Sequence, residues 1–424
     1  MWYHFIGISG VSMKSIAKIL ELKGDKITGS DLKLTGHKKE NIKPEIDAVV
    51  YTSAVTESSP GWVEIKEADR LGIKLIKRGE MLADLVKNYK VIAVSGTHGK
   101  TTTASMIGLT LIKAGLDPFV IIGEDVSEIG GAFRLGKGDW AVVEACEYDR
   151  NFLYLSPEIA VITNIEEEHL DHYPGGLPDL LSAFEKFLSK IKKNGKAVIC
   201  GDDENAKRVA EKNKRTDIKK VFYRLNDKNQ AGILDFKLNL PGDHNRRNAL
   251  ATLAVAKMLN IKKEIVESAI KNFTGAKRRF EIKGEKNGVI VIDDYGHHPT
   301  EISALLAGAK EKYPEKNLVV VFWPHQYKRT QTLLKKFPAA FRLVDKLIVK
   351  EIFFVPGRDQ KLPVSGRDIV DLVNTEKKGK ALFIDNDEKI LKYLNENLTS
   401  NDILITVGIP PIYKIGESFL EKKW

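Results

Sequence analysis

The stretch KVIAVSGTHGKTTTASMIGLTLIKAG, residues 90–115, decides how the rest of the chain is read. It opens on Val91, Ile92, Ala93 and Val94, an apolar run of the kind that forms a buried strand. Gly96-Thr97-His98-Gly99-Lys100-Thr101-Thr102 follows, then an amphipathic helical stretch closed by Gly115. Strand, glycine loop and helix in that order bring backbone N–H groups together at a helix N-terminus, where the dipole favours an anion. The glycines let the backbone approach phosphate closely, Lys100 reaches terminal phosphates, and Thr101 offers a hydroxyl to Mg²⁺. The spacing is tighter than the common Walker pattern, because no glycine stands six residues before Lys100. A plain strand–helix turn with an incidental lysine is the competing reading. The strand and helix on either side favour phosphate.

Outward from this loop the chain alternates strand-like and helix-like stretches, which reads as α/β architecture. The pattern restarts three times. The first start has a strand over residues 2–8, a turn Gly7-Ile8-Ser9-Gly10, and a helix with Met13, Ile16, Ala17 and Leu20 at helical spacing. Strand 26–29, then Ser30-Asp31, and strand 48–52 come next. The second start is strand 91–94. The third is strand 289–292, followed by helix 300–312, strands 318–322 and 346–350, helix 365–373, strand 381–384, helix 388–395 and strand 403–407. Boundaries near residues 88 and 282 give domains of residues 1–88, 89–282 and 283–424. A length of 424 residues agrees with three domains, at about 150 residues each.

Composition excludes several classes. Apolar residues make up 43% and charged residues 29%, the balance of an ordinary globular protein. The longest apolar run, residues 318–323, has six residues, against about 20 for a membrane-spanning helix. MWYHFIGISG has no basic leader, so no signal peptide is expected. Two cysteines argue against a disulfide framework and for a reducing cytoplasm. A net charge of +10 allows nucleic acid, small anions or a solvated lysine-rich surface. The lysines are spread along the chain, and the clusters at 212–220 and 377–380 lack interleaved aromatics. The solvated-surface reading is therefore preferred, with neither a nucleic acid nor a membrane as partner. Oligomeric state is left open.

Two acidic clusters follow strand-like runs. Trp140 to Val143 ends in Glu144-Ala145-Cys146-Glu147, and residues 159–163 lead into Asn164 and Glu166-Glu167-Glu168-His169-Leu170-Asp171. In open α/β sheets ligands sit beyond the carboxyl ends of strands, so both clusters suit a nucleotide-bound Mg²⁺. The glutamate triplet alone reads as a solvated loop. Leu240-Pro241-Gly242-Asp243-His244-Asn245-Arg246-Arg247-Asn248 opens an Ala-rich helix to Leu259, suited to a base edge or to simple capping. Asp293-Asp294-Tyr295-Gly296-His297-His298-Pro299-Thr300-Glu301 pairs histidines with aspartates at a strand end.

Taken in order, GTHGKTTT, Asn164 with His169, PGDHNRRN, GAKRRFE, DDYGHHPTE and WPHQYKRT resemble the Mur ligase family over essentially the whole chain. The resemblance implies an N-terminal Rossmann-like domain for UDP, a central ATP-binding domain and a C-terminal Rossmann-like domain for the amino acid. Within the family the pattern is most similar to the activity that joins L-alanine to UDP-N-acetylmuramate, a step in making peptidoglycan precursors. ATP would phosphorylate the muramyl carboxylate, and the amine would attack the acyl phosphate. By the same resemblance, Gly96, Thr97, His98, Gly99, Lys100, Thr101 and Thr102 would hold phosphates. Thr101, Glu144 and His169 would hold Mg²⁺. His244, Asn245 and Asn248 would lie at adenine. Arg279 and Asp294 would bind phosphate and ribose. His297, His298, Tyr327 and Arg329 would face the amino acid. Gly7, Ser9, Gly10, Ser12, Ser30 and Asp31 would contact the UDP sugar. Lys100, Glu144, His169, Arg279 and His297 would be the catalytic set.

The chain departs from the family in four places. Ser9 and Ser12 stand at glycine positions, and Ser9 would need a tolerant backbone angle. The segment between Asp31 and Ala48 is short, which implies fewer uridine contacts. Cys146 replaces an aspartate, and Gly408-Ile409-Pro410-Pro411 replaces a glycine-rich turn with a stiff one. The alternatives are a sister ligase attaching a recycled tripeptide to the same sugar nucleotide, a P-loop phosphotransferase or GTPase, and a non-catalytic nucleotide-binding protein.

Overall fold

The computed structural model describes residues 1–34, 36–168, 172–225, 237–355, 359–376 and 378–421. The chain divides into two compact units, residues 1–239 with 245–273, and residues 240–244 with 274–424. Among the described residues no helix is long and apolar enough to cross a membrane.

The first unit holds two sheets. Strands β1 (Trp2–Ile6), β2 (Lys26–Ser30), β3 (Ala48–Tyr51) and β4 (Lys74–Lys77) run parallel in the order β2-β1-β3-β4. Parallel neighbours need crossovers. Helices α1 (Val11–Leu22), α2 (Trp62–Arg70) and α3 (Arg78–Val86) stand between or after these strands. α1 buries Met13, Ile16, Ala17 and Leu20, the face its spacing predicted, and also Ser15 and Ile19. The strand expected over residues 2–8 stops at Ile6, because Gly7 turns the chain with a φ of 83°. That angle falls on Gly7; Ser9 is not among the described residues with positive φ, so it needs no tolerant backbone angle there. Between residues 31 and 48 the described chain forms a short 3₁₀ turn, Lys39–Asn41.

The second sheet is built from β5 (Lys90–Ser95), β6 (Phe119–Val126), β7 (Gly131–Arg134), β8 (Trp140–Glu144), β9 (Ile159–Ile162), β10 (Lys196–Cys200) and β11 (Lys219–Tyr223). Its order is β11-β10-β9-β5-β8-β6-β7, parallel except for β7. β5 therefore lies between β9 and β8, and the loops leaving all three strands emerge at one end. Helix α4 (Lys100–Lys113) follows β5 and is buried along residues 101–111 rather than along one stripe, as an amphipathic helix would be. Two of its hydroxyls return hydrogen bonds to its own carbonyls, Ser105 Oγ to Thr101 O at 2.7 Å and Thr110 Oγ1 to Met106 O at 2.8 Å, so burial leaves these two satisfied. Four helices complete this sheet's surroundings: α5 (Gly176–Ser189), α6 (Glu204–Lys212), α7 (Asp243–Met258) and α8 (Lys263–Ile270). One apolar core, including Phe5, Ile16, Val50, Val91, Phe119 and Phe184, serves both sheets.

In the second unit β12 (Glu281–Lys286) pairs antiparallel with β13 (Val289–Asp294). The other strands are parallel: β14 (Asn317–Phe322), β15 (Lys346–Val349), β16 (Ala381–Phe383) and β17 (Asp402–Val407). The order is β12-β13-β17-β14-β15-β16. Its helices include α9 (Pro299–Lys312) and α10 (Tyr327–Leu333). A separate core holds Val291, Val321, Ile348, Leu394, Leu404 and Phe419. The turn at Pro410-Pro411 is fastened by Arg278, which donates to Gly408 O at 2.5 Å, Ile409 O at 2.9 Å and Pro410 O at 3.1 Å.

Candidate functional site

β5 delivers its C-terminal end into the glycine loop. Gly96 has a φ of 135° and Gly99 one of 79°. A Cβ on Gly96 would collide with Thr163 Oγ1 and lie 2.9 Å from Asn164 O. One on Gly99 would lie 2.7 Å from Asn248 Oδ1. The loop is fastened by residues leaving β9. Thr97 N donates to Asn164 O at 3.0 Å, and His98 N donates to Asn164 Oδ1 at 2.9 Å. Asn164 Nδ2 and Thr163 Oγ1 both donate to His98 O, at 2.9 and 2.6 Å. Glu166 N donates to Thr97 Oγ1 at 2.8 Å.

Gly99 is the N-cap of α4 and supplies no side-chain cap. The first helical N–H groups, at Lys100, Thr101 and Thr102, are therefore presented as an anion site. Lys100 Nζ donates to Gly96 O at 2.6 Å, to Thr97 O at 3.0 Å and to Glu147 at 3.0 Å. Burial alone would lower the Lys100 ammonium, but Glu147, Cys146 and Glu144 hold it above the ordinary lysine range. Burial pushes Glu147 up against the pull of Lys100. Thr101 Oγ1 donates to Glu144 Oε2 at 2.7 Å, and Gly123 N donates to the same oxygen at 2.8 Å. A hydroxyl and a carboxylate this close form a hard-oxygen pair that suits a small divalent cation. Asn248, on α7, accepts from Thr103 Oγ1 at 3.1 Å and donates to Asn245 Oδ1 at 3.3 Å, so it braces the start of α4. Thus Gly96 through Thr102, Glu144, Asn245 and Asn248 are brought to one place. His169, Leu170 and Asp171 lie outside the described residues. His244 belongs to the second unit.

The N-terminal loop forms a second group. Gly7 N and Ile8 N donate to Ser30 O at 2.8 and 3.1 Å, and Gly10 N donates to Gly7 O at 3.2 Å. Ser9 N donates to Asp31 Oδ2 at 3.2 Å. Ser12, in the first turn of α1, accepts from Arg78 Nη1 at 3.2 Å. All six candidate residues for the sugar nucleotide therefore flank the ends of β1 and β2.

In the second unit Glu301 is the organiser. It accepts from Arg279 Nη1 at 3.3 Å, His297 N at 3.1 Å and His298 N at 3.3 Å. His298 caps α9 through Nδ1, which accepts from Thr300 N at 3.3 Å. Asp294 accepts from Phe280 N at 2.8 Å and Gly296 N at 2.6 Å. Burial pushes Asp294 up to about 6 despite Arg279 beside it. Tyr327 and Arg329 form another group on α10: Tyr327 N donates to Asp359 Oδ2 at 3.1 Å, and Arg329 Nη1 lies 3.2 Å from His325 Nδ1.

Sequence reasoning missed Glu147 as the partner of Lys100, Asn164 as the loop's clasp, Gly123 beside Glu144, and Glu301 as organiser. Each stands within or next to a motif already noted, apart from Gly123, whose only signal is a glycine inside a strand.

Three family models match the chain in order: the Mur ligase family catalytic domain over residues 2–90, the Mur ligase middle domain over 94–256, and the Mur ligase glutamate ligase domain over 278–409. The chain belongs to the Mur ligase family. It is 40% identical over 457 residues to the UDP-N-acetylmuramate–L-alanine ligase of Caldanaerobacter subterraneus subsp. tengcongensis, a match that covers 99% of this chain and 97% of that one. A solved UDP-N-acetylmuramate–alanine ligase from Thermotoga maritima is 27% identical, with a TM-score of 0.83 over 99% of this chain and 98% of that one. A murein peptide ligase from Psychrobacter arcticus shares the fold at 22% identity and a TM-score of 0.72, covering 99% and 98%. Mur ligases form amide bonds at the expense of ATP, and this chain is a ligase of that class.

Proposed function

We propose that the protein joins L-alanine to the carboxylate of UDP-N-acetylmuramate through an acyl phosphate, as a step in peptidoglycan precursor synthesis. The observation that carries this is a phosphate loop with Lys100 set against Glu147 and Thr101 against Glu144, in a chain 40% identical along its length to a ligase of that name. The muramyl carboxylate oxygen attacks the γ-phosphorus of ATP and ADP leaves. The neutral amine of alanine then attacks the acyl carbon, phosphate leaves, and a proton is lost from nitrogen. Lys100, held protonated, binds the terminal phosphates and offsets their charge as it moves. Thr101, Glu144 and, by the family pattern, His169 hold Mg²⁺, which when bound neutralises phosphate charge. Asn245, Asn248 and His244 serve adenine, and Arg279 and Asp294 serve phosphate and ribose. His297, His298, Tyr327 and Arg329 serve the amino acid, and the loop from Gly7 to Ser12 with Ser30 and Asp31 serves the UDP sugar. The division of labour follows residues 1–88, 89–282 and 283–424. A cytoplasmic location accords with Cys146 and Cys200, both free thiols.

ADP release tests the reading. It should require UDP-N-acetylmuramate, Mg²⁺ and L-alanine together, with L-serine, glycine and the murein tripeptide as poorer acceptors. Sustained ATP turnover without the sugar nucleotide would indicate a phosphotransferase. A strong preference for tripeptide would indicate the recycling ligase.

A further inference from the structure

Glu64 stands in the first turn of α2, at no position the sequence marked, and its side chain is fully buried. A buried carboxylate is costly unless its lone pairs are used. Here they are. Oε1 accepts from Asn41 Nδ2 at 2.6 Å and from Lys38 N at 3.1 Å, and Oε2 accepts from Ser30 Oγ at 2.6 Å. His4 Nε2 and His37 Nδ1 lie 3.6 and 3.5 Å from Oε2.

Ser30 is the link outward. Its backbone oxygen receives the N–H groups of Gly7 and Ile8, and Asp31 beside it receives that of Ser9. Its hydroxyl has one proton, which goes to Glu64. The 3.0 Å contact between Ser30 Oγ and His37 Nδ1 must then be donated by the imidazole, which fixes the His37 tautomer. Glu64 also ties down residues 38–41, the part of the short segment that follows Asp31. A glutamine keeps an acceptor for Lys38 and Asn41 only with its NH₂ at the Oε2 position, where Ser30 Oγ and His37 must reverse their hydrogen bonds and the carboxylate's charge is lost.

We propose that Glu64 is a positioning residue for the nucleotide-sugar loop, holding Ser30 and the short 36–41 segment so that Gly7, Ile8 and Ser9 keep one conformation. This rests on the reading of that loop as the UDP-sugar site. Glu64 itself, beneath Ser30 and fully buried, touches no substrate.

The test is steady-state ADP release by Glu64→Gln, with the KM for UDP-N-acetylmuramate and for ATP measured separately. The expected result is a KM for the sugar nucleotide raised about tenfold, the factor that 1.4 kcal/mol corresponds to. The ATP KM and kcat should stay within about twofold, well inside one such factor. An unchanged sugar-nucleotide KM overturns the proposal, and so does an equal rise in both KM values, which is what general loosening would give. If Glu64→Gln does not fold, Asn41→Ala removes the amide that donates to Glu64 Oε1 and to Gly36 O within the segment, and should raise the sugar-nucleotide KM selectively by about threefold, a fraction of a tenfold step. No selective rise there also overturns it. Wild-type enzyme that releases no ADP with UDP-N-acetylmuramate would instead defeat the assignment of the substrate.

Discussion

Cys146 sits between Ala145 and Glu147, and burial pushes its thiol up to about 11. It is therefore a neutral thiol at pH 7, and the thiolate is the reactive form. An acyl-phosphate reaction needs no sulfur nucleophile. Cys146→Ala should keep much of the activity, and a folded variant without turnover would show that the thiol has a role. Glu144 is different, because two donors converge on one of its oxygens. Glu144→Ala should remove most ADP release while the protein stays folded by circular dichroism. Should it turn over normally while a substitution among Glu166, Glu167 and Glu168 abolishes activity, the metal belongs to the triplet. Glu64 gives a pH prediction. Burial alone would raise it, yet His4, Ser30, Asn41 and the Lys38 N–H bring it from an ordinary 4.5 down to about 2. A depressed carboxylate contributes stability above about pH 4.5 and loses it as pH falls towards 2, here on the order of 3 kcal/mol in full. The urea-midpoint gap between wild type and Glu64→Gln should therefore narrow from pH 6 to pH 3. A constant gap would mean the carboxylate's charge is not what matters. Lys100 and Thr101 were legible because their spacing to the glycines is local. Glu64 was not, because its partners Ser30, Lys38 and Asn41 are 23 to 34 residues away and only the fold assembles them.

The 3₁₀ segment Tyr148–Tyr154 is the element where local rules are broken most openly. Asp149 and Arg150 have φ of 50° and 55°, left-handed for two consecutive residues that are not glycine. Side chains hold them there. Asp149 accepts from Ser53 Oγ at 2.6 Å and from Lys77 Nζ at 3.0 Å, and lies 3.5 Å from His172 Nδ1. Arg150 Nη2 donates to both oxygens of Asp179 at 2.8 Å. The segment begins just after Glu147, so these contacts connect the ends of β3 and β4 to the partner of Lys100. Asparagine tolerates the left-handed region and keeps an acceptor, whereas alanine does neither. Asp149→Ala should cost about 1–2 kcal/mol more than Asp149→Asn in urea unfolding, the scale of the left-handed penalty. Equal losses would show that neither the angle nor the acceptor is decisive. Most elements that position the site were legible for the opposite reason: apolar runs such as 91–94, 318–322 and 403–407 obey strand rules on their own. The β6–β7 pair was not legible. Gly123, Glu124 and Asp125 interrupt its apolar run, and its register shifts between Ile121 and Val126. The all-round burial of α4 was hidden as well, since threonines that look like a polar face find partners in Glu144, in Asn248 and, for Thr110, in the helix itself.

At the scale of the whole chain, the two N-terminal sheets share one apolar core while the C-terminal sheet has its own. Length and periodicity gave three restarts, but periodicity reports only how each element faces its neighbours. It does not say which cores merge. Shared packing makes elements unfold together, and separate cores allow separate transitions, so a single two-state description should fail for this chain. Calorimetry should resolve two transitions. Phe184→Ala removes a fully buried ring from the first core, at a cost of about 3–5 kcal/mol, and should lower one of them. Leu394→Ala, fully buried in the second core, should lower the other by an amount set by about 2–5 kcal/mol. The proposed function then makes a further demand on the same trace. UDP-N-acetylmuramate alone, bound at the loop between β1 and α1, should raise the transition that Phe184→Ala lowers, because a ligand stabilises the cooperative unit that holds it. That unit also contains Lys100, Thr101 and Glu144, so occupation of the sugar-nucleotide loop would firm the phosphate site before ATP arrives. One transition lowered equally by both variants would mean the chain is a single cooperative body. A ligand shift confined to the other transition would move the sugar nucleotide away from Gly7, Ser30 and Asp31.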